Sequence, residues 1–183
     1  GGLRFILGRY LNLAPARVKL GSTSTGKPTL ADLQDQRTAV TFNLSHAHGK
    51  ALVAVAQGRE IGVDLEMIRE DVEVLKLADR FFSDRERQYL RSTPVASPRK
   101  EFFRYWVAKE AVLKAEGVGL GALQACELDW SAGSDRDGVP VQLAGRFHVP
   151  WVVKSLDCGP GWVGAVAAQG SDWMINLCAR ATD

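Results

Sequence analysis

Ser97-Pro98-Arg99-Lys100-Glu101-Phe102-Phe103-Arg104-Tyr105-Trp106-Val107-Ala108-Lys109-Glu110-Ala111-Val112-Leu113-Lys114-Ala115-Glu116-Gly117 is the stretch on which the reading of this chain turns. Ser97 suits an N-cap, Pro98 a first helical turn and Gly117 a C-terminal stop, so the spacing predicts one long helix between them. Phe102, Trp106 and Leu113, with Phe103 and Val107, recur at threes and fours and give that helix a broad apolar face. Glu110 falls one turn after Trp106, and Lys114 one turn after Glu110, so the three lie close together on its surface. Taken alone, Glu110 and Lys114 are an ordinary helical ion pair worth about 0.2–0.5 kcal/mol. Residues upstream give the pair another meaning.

Ile61-Gly62-Val63-Asp64-Leu65-Glu66 places two carboxylates two residues apart on a strand, hence on one face. Two such charges repel by up to about 4 kcal/mol at 4 Å and an effective dielectric near 20. A divalent cation removes that conflict, and hard oxygen ligands shared with substrate phosphates suit Mg²⁺, with Glu110 the candidate third carboxylate. An isolated Asp-x-Glu is more often a solvated strand end. Phe42-Asn43-Leu44-Ser45-His46 brings a hydroxyl and an imidazole to the end of an apolar strand, where both can hold phosphate oxygens. Gly26-Lys27-Pro28 presents one ammonium on a rigid turn. Each alone has a structural explanation, and His48 and His148 carry no partner pattern.

Around these pieces the chain reads as a mixture of helices and short strands. Residues 3–13 have helical periodicity, residues 21–28 form a Gly/Ser/Thr loop, and residues 40–45 alternate as a strand. Residues 50–57 and 60–66 read as a hairpin turning at Gly58-Arg59. A helix is predicted over 72–82, and a second from Ser83, where Ser83 and Glu86 match a capping box. Residues 94–98 read as a loop. Strands follow at 126–130, 139–143, 151–157 and 162–169, with a polar turn over 131–138 and a last short strand over 173–178. Ala51-Leu-Val-Ala-Val-Ala-Gln-Gly58 echoes Trp162-Val-Gly-Ala-Val-Ala-Ala-Gln-Gly170. Together these predict an α+β protein of two pseudo-symmetric halves, residues 1–59 and 60–183, each a small antiparallel sheet packed with helices. The second half opens with a strand and the first does not, so the first is expected to lack its opening strand.

Composition bounds the function. In 183 residues, 46% hydrophobic and 24% charged content are those of a globular chain, and a net charge of +2 argues against nucleic acid. Arg4, Arg9, Arg17, Lys19 and Lys27 occur before residue 32 with no acid among them, which suits a small anionic ligand. Three scattered cysteines without a CxxC pair favour a reducing compartment, and no apolar run reaches a membrane span. A cytoplasmic protein is expected.

Gly-Lys-Pro at 26–28, Asn-Leu-Ser-His at 43–46, Ile-Gly-Val-Asp-x-Glu at 61–66, Arg-Phe-Phe-Ser at 80–83 and Trp-x-x-Lys-Glu-Ala-x-x-Lys at 106–114 follow one another in a familiar order. In order and spacing they resemble the Sfp-type 4′-phosphopantetheinyl transferases, over about residues 3–169. Asp-x-Glu combined with Trp-x-x-Lys-Glu-x-x-x-Lys is highly specific; Gly-Lys-Pro alone is not. The resemblance implies two pseudo-symmetric α+β halves with coenzyme A at their interface. It implies Asp64, Glu66 and Glu110 as Mg²⁺ ligands, with Glu110 also accepting the proton of the attacking serine. Lys109 and Lys114 would contact phosphate, Ser45 and His46 would hold the coenzyme A phosphates, and Lys27 would lie near the adenosine. Catalysis would fall to Glu110 and Lys114. Family members carry a further N-terminal segment that nothing here matches.

The expected activity is transfer of 4′-phosphopantetheine from coenzyme A to a serine of an apo acyl or peptidyl carrier protein, releasing adenosine 3′,5′-bisphosphate. The carrier is expected to dock over residues 67–90, where Arg69, Lys76, Arg80, Arg85 and Arg87 accompany apolar residues. The fused halves predict a monomer, without nucleic-acid or membrane partners. The alternatives are a Mg²⁺-dependent phosphodiesterase or nuclease, since Asp-x-Glu with a lysine also fits metal-assisted hydrolysis, and an inactive carrier-binding module.

Overall fold

A computed structural model of the protein describes residues 1–31, 40–92, 97–130, 138–143 and 151–178. Helix α1 (Gly2–Leu11) ends at Asn12, which takes the left-handed conformation at φ 52°. A 3-10 turn, Pro15–Arg17, leads into a small hairpin of β1 (Leu20–Ser22) and β2 (Pro28–Leu30). A longer hairpin pairs β3 (Val40–Ala47) with β4 (Lys50–Gln57). Strand β5 (Ile61–Met67) precedes helices α2 (Val74–Phe81), α3 (Asp84–Ser92) and α4 (Pro98–Glu116). Strands β6 (Cys126–Leu128), β7 (Val139–Leu143), β8 (Trp151–Leu156) and β9 (Trp162–Gln169) then join β5 in one antiparallel sheet, ordered β5-β9-β8-β7-β6. The fold is α+β with antiparallel sheets.

Local chemistry sets the helix ends. Ser97 Oγ accepts from the Lys100 N–H at 3.2 Å, and Gly117, at φ 73°, returns its N–H to the Leu113 carbonyl. At the start of α3 the Glu86 N–H donates to Ser83 Oγ at 3.3 Å while Glu86 Oε2 accepts from the Ser83 N–H at 2.9 Å, a reciprocal capping box.

Helix α4 is central. Phe102, Phe103, Tyr105, Val107, Ala108, Ala111, Val112, Leu113 and Ala115 are all buried, a set that runs round the helix instead of marking one stripe. Phe82 and Leu90 from the α2–α3 side, and Val153, Val163, Ala165 and Ala167 from the sheet, complete the same core. Phe82 stacks on Phe102 with ring centroids 5.2 Å apart.

Strand β5 carries the two carboxylates beneath α4. Its residues alternate, so Gly62, Asp64 and Glu66 share a face with their β9 partners Ala167, Ala165 and Val163, and that face belongs to the α4 core. Ile61, opposite Ala168, turns to the other face, where Ala54 and Ala56 of β4 pack. The approach of α4 depends on Gly62: a Cβ there would stand 2.0 Å from the Ala111 carbonyl oxygen and 2.5 Å from the Ala115 nitrogen.

The other edge of β5 is closed by side chains of β3. Asn43 Oδ1 accepts from the Val63 N–H at 3.0 Å and Ser45 Oγ from the Leu65 N–H at 3.3 Å, replacing a strand-to-strand ladder. Lys27 bridges the same parts of the molecule, donating to the Ala115 carbonyl at 2.8 Å near the end of α4 and to Glu60 Oε2 at 2.9 Å.

Three local expectations change. No hairpin joins β4 to β5, because β4 pairs with β3 and β5 with β9; Gly58, at φ 72°, turns the chain between layers. Residues 173–178 form no strand, and Trp173 is held by Lys154, which donates to its carbonyl at 2.9 Å. The loop over 21–28 contains the β1–β2 hairpin, closed where the Thr23 N–H donates to the Lys27 carbonyl at 2.9 Å. The turn over 131–138 and the loop over 94–98 fall largely outside the described residues, and His148 falls wholly outside them.

Candidate active site

Asp64 and Lys114 meet where β5 passes under the C-terminal half of α4, and Glu66 and Glu110 lie near enough to feel both charges. Asp64 is only 4% exposed, and its Oδ1 accepts from Ser45 Oγ at 2.8 Å and from Lys114 Nζ at 2.5 Å. Lys114 also donates to Ser45 Oγ at 3.1 Å. A serine hydroxyl has one proton and two lone pairs, so donating to Asp64 and accepting from Leu65 and Lys114 uses its whole capacity.

The crowding of negative charge is visible in the acidities. Burial, then the Asp64 charge, pushes the Glu110 carboxyl up to about 7, with Glu66 adding to the rise and Lys114 opposing it. Burial and Asp64 also raise Glu66, against the nearby Arg69, His48 and Lys114. A carboxylate poised near neutrality and backed by an ammonium can accept a proton and stabilise developing negative charge. Among the described residues no group of three or more His, Cys, Asp or Glu side chains is placed to hold a metal ion. The cation bonded to Asp64 is the Lys114 ammonium.

The other expected site residues divide. Ser45 is at the centre of the cluster, whereas His46, its neighbour on β3, is exposed and points to the opposite face, as strand alternation requires. Lys27 is docked on the end of α4 and Glu60. Lys109, expected among the phosphate contacts, is 0% exposed. It is sealed against Glu86 Oε2 at 2.6 Å, donates to the Leu123 carbonyl at 2.9 Å and lies over the Phe82 ring, so its placement corrects that expectation. The physical reason is helical geometry: one residue from Glu110 is about 100° round the helix.

Two residues without a sequence role join the site. His48, in the turn between β3 and β4 at φ 43°, packs edge-on to Trp162 with centroids 6.5 Å apart and lowers the Glu66 acidity shift. Asn43 fixes the β5 backbone beside Asp64, and its spacing of two from Ser45 on a strand is the signal that places both on one face. Arg69 faces Glu66 electrostatically, with its Nε buried and without a hydrogen-bond partner.

Comparison with known proteins bears on this geometry. A model of the 4′-phosphopantetheinyl transferase superfamily matches residues 60–167. The chain is 41% identical to the 4′-phosphopantetheinyl transferase HetI of Nostoc sp., over 94% of this chain and 70% of that protein. It is 30% identical to the 4′-phosphopantetheinyl transferase Sfp of Bacillus subtilis, over 96% of this chain and 74% of that protein. A Xenopus laevis L-aminoadipate-semialdehyde dehydrogenase-phosphopantetheinyl transferase is 32% identical over 70% of this chain and 45% of its own length. The matched region contains every member of the carboxylate–lysine cluster, and this chain belongs to the 4′-phosphopantetheinyl transferase superfamily.

Proposed function

We propose that the protein transfers 4′-phosphopantetheine from coenzyme A to a serine hydroxyl of an apo acyl or peptidyl carrier protein, releasing adenosine 3′,5′-bisphosphate. The observation that carries this reading is the convergence of Asp64, Glu66 and Glu110 with Lys114, Glu110 being held near neutrality. The serine oxygen attacks the phosphorus that bears the pantetheine, and Glu110 takes the serine proton, directly or through water. The bond from that phosphorus to the bridging oxygen breaks, and Lys114 stabilises the charge left on the departing phosphate.

After burial, the Asp64 charge raises the proton affinity of both Glu66 and Glu110, and with oxygens of the coenzyme A diphosphate completing the set, Asp64, Glu66 and Glu110 would hold a hard divalent cation such as Mg²⁺. When bound, it would neutralise diphosphate charge. Ser45 orients Asp64 and Lys114. We retain the division at 59/60 into two halves, with coenzyme A between them and Lys27 beside its adenosine end, and read the protein as a cytoplasmic monomer. Free Cys126, Cys158 and Cys178 agree with a reducing compartment. No helix among the described residues is long and apolar enough to cross a membrane.

For the carrier, the α2–α3 surface holds fewer uncompensated charges than its arginine count suggests. Lys76 pairs with Glu73, Arg85 with Asp129, Arg87 with Asp84 and Arg91 with Asp79. Arg69, beside Glu66, becomes the preferred contact. Arg69→Glu is expected to raise the carrier KM and weaken its salt dependence; an unchanged KM would remove this surface.

The decisive experiment incubates the protein with coenzyme A, Mg²⁺ and several apo carriers, and follows carrier mass and nucleotide products. A carrier gaining one phosphopantetheine, with adenosine 3′,5′-bisphosphate released, supports the proposal. Coenzyme A hydrolysis without carrier modification would replace it with a phosphodiesterase, and binding alone with a carrier-binding module.

A further inference from the structure

Strand β5 comes to the surface as it leaves the carboxylate cluster: Gly62 and Asp64 are buried, and Glu66, Ile68 and Arg69 are half-buried. The site is therefore open on the Glu66 side, where two structures from different parts of the chain form its rim. One is the β3–β4 turn. Ala47 pairs with Lys50, and His48 and Gly49 between them take φ 43° and 82°, the two positive values of a type I′ hairpin turn. That turn sets both flanking side chains on one ring: His48 meets Trp162 edge-on, and the Lys50 ammonium stands 4.4 Å from the Trp162 centroid while donating to the Cys158 carbonyl. The other structure is the β5–β9 pair, where Trp162 stands opposite Met67 and Val163 opposite Glu66. Among the described residues neither Lys50 nor Arg69 is bonded to a carboxylate, and the Arg69 Nε is buried without a partner. Behind Trp162 a cleft of about 780 Å³ runs between the β8–β9 turn and the N-terminal half of α4, past Ile68, Val163 and the exposed Lys100. Its two acids are engaged, Glu101 with Arg104 at 3.2 Å and Asp157 with the Gly159 N–H at 3.0 Å.

We propose that the rim of Lys50, Trp162 and Arg69, with the cleft behind Trp162, is the seat of the acyl or peptidyl carrier and takes an acidic segment beside its target serine. The inference rests on the transferase reading above and assigns its protein partner a surface that spans the β3–β4 turn as well as β5 and β9. The charge pattern selects the partner. Asp64, Glu66 and Glu110 repel an acidic protein at the point where its serine must enter, and the uncompensated cations at the rim reverse that field just outside. The cations of α2 and α3 are already matched to carboxylates and offer an acidic partner less. Trp162 adds the aromatic area that anchors protein interfaces. Lys50 is ordered on that ring before any partner arrives, so little side-chain freedom is lost on docking.

The test measures the carrier KM and the coenzyme A KM separately, over a salt series, for the wild type, Lys50→Glu, Lys50→Met and Lys50→Arg. In parallel, an apo carrier is titrated into the full chain without coenzyme A or metal, and the Trp162 indole N–H, assigned with Trp162→Phe, is followed by nuclear magnetic resonance. Lys50→Glu should raise the carrier KM about 5–30-fold, and more than the coenzyme A KM, because reversal turns a surface attraction into a repulsion. Lys50→Met should raise it about 2–5-fold, and Lys50→Arg, which keeps the charge over the ring, should restore it. The Trp162 signal should move with the carrier and return as salt is added. An unchanged carrier KM in Lys50→Glu, or a Trp162 signal blind to the carrier, overturns the proposal and leaves the transferase reading standing. A rise confined to the coenzyme A KM overturns it too and gives the rim to the nucleotide. A wild type that modifies no carrier removes the transferase reading and this seat together. If Lys50→Glu fails to fold, Lys50→Met and the wild-type titration decide.

Discussion

Lys109 and Lys114 lie five residues apart on α4, which turns them about 140° from one another round the helix. Lys109 enters the core, where Glu86, itself 1% exposed, also accepts from the Leu128 N–H at 3.1 Å. Removing one member of such a pair strands a buried charge, so Lys109→Met is expected to cost about 3–5 kcal/mol in denaturant unfolding. Lys114→Met should stay folded and lower kcat, because its charge acts mainly as the diphosphate breaks; equal unfolding costs would contradict this division. For Glu110 the sign follows from its raised pKa. Below pH 4.5 the carboxyl is protonated in both the folded and unfolded chain; between pH 4.5 and about 7 the unfolded chain releases the proton that the folded one keeps, so stability falls as pH rises. Glu110→Gln should remove that loss, gaining on the order of 1–3 kcal/mol at pH 8 relative to pH 4.5 in metal-free protein. The same change should slow transfer about 10²–10⁴-fold. Parallel pH–stability curves for the two proteins would show that Glu110 is an ordinary surface acid.

At the scale of elements, the site exists because α4 and β5 lie unusually close. Gly62 makes this possible, since any Cβ would collide with the backbone of α4 at Ala111 and Ala115. The small side chains Ala165 and Ala167 on β9 and Ala108, Ala111 and Ala115 on α4 extend the same close contact. Gly62→Val is expected to cost about 1–3 kcal/mol or more by overpacking. It should also reduce transfer beyond its stability effect, because α4 carries Glu110 and Lys114 as it moves away from Asp64. A destabilised but fully active variant would mean that the helix–strand distance does not matter to the chemistry.

Across the whole molecule, the parts on either side of residue 60 are joined largely by side chains bonded to backbone. Thr41 Oγ1 donates to the Arg59 carbonyl at 2.6 Å, Asn43 and Ser45 accept from β5, and Lys50 donates to the Cys158 carbonyl at 3.1 Å while lying over Trp162. Asn43→Ala leaves the buried Val63 N–H without an acceptor, at a cost of about 1–3 kcal/mol. Amide exchange at Val63 and Leu65 should quicken in this variant more than at β8, whose ladder bonds remain. Uniform exchange changes would indicate general destabilisation instead of a loosened junction.

What the sequence by itself determined is the short-range physics: the caps at Ser97 and Gly117, the Ser83–Glu86 box, the common face of Asp64 and Glu66, and the adjacency of Glu110 and Lys114. Each follows from periods of two or 3.6 residues and needs no knowledge of the rest of the chain. The opposite directions of Ser45 and His46, and of Lys109 and Glu110, follow from the same periods, yet a motif read as one unit conceals them. Only the tertiary structure decided which strand pairs with which. The Ala/Val strands β4 and β9 present similar faces, and their alternation is compatible with several neighbours. It also decided that Glu86, 23 residues before Lys109 and known only as a capping residue, would bury that lysine. Above all it placed Lys114 on Asp64, 50 residues away, because the approach of α4 over Gly62 brings the two within a hydrogen bond of each other. Contacts between distant residues depend on how whole elements pack, and no local period encodes that.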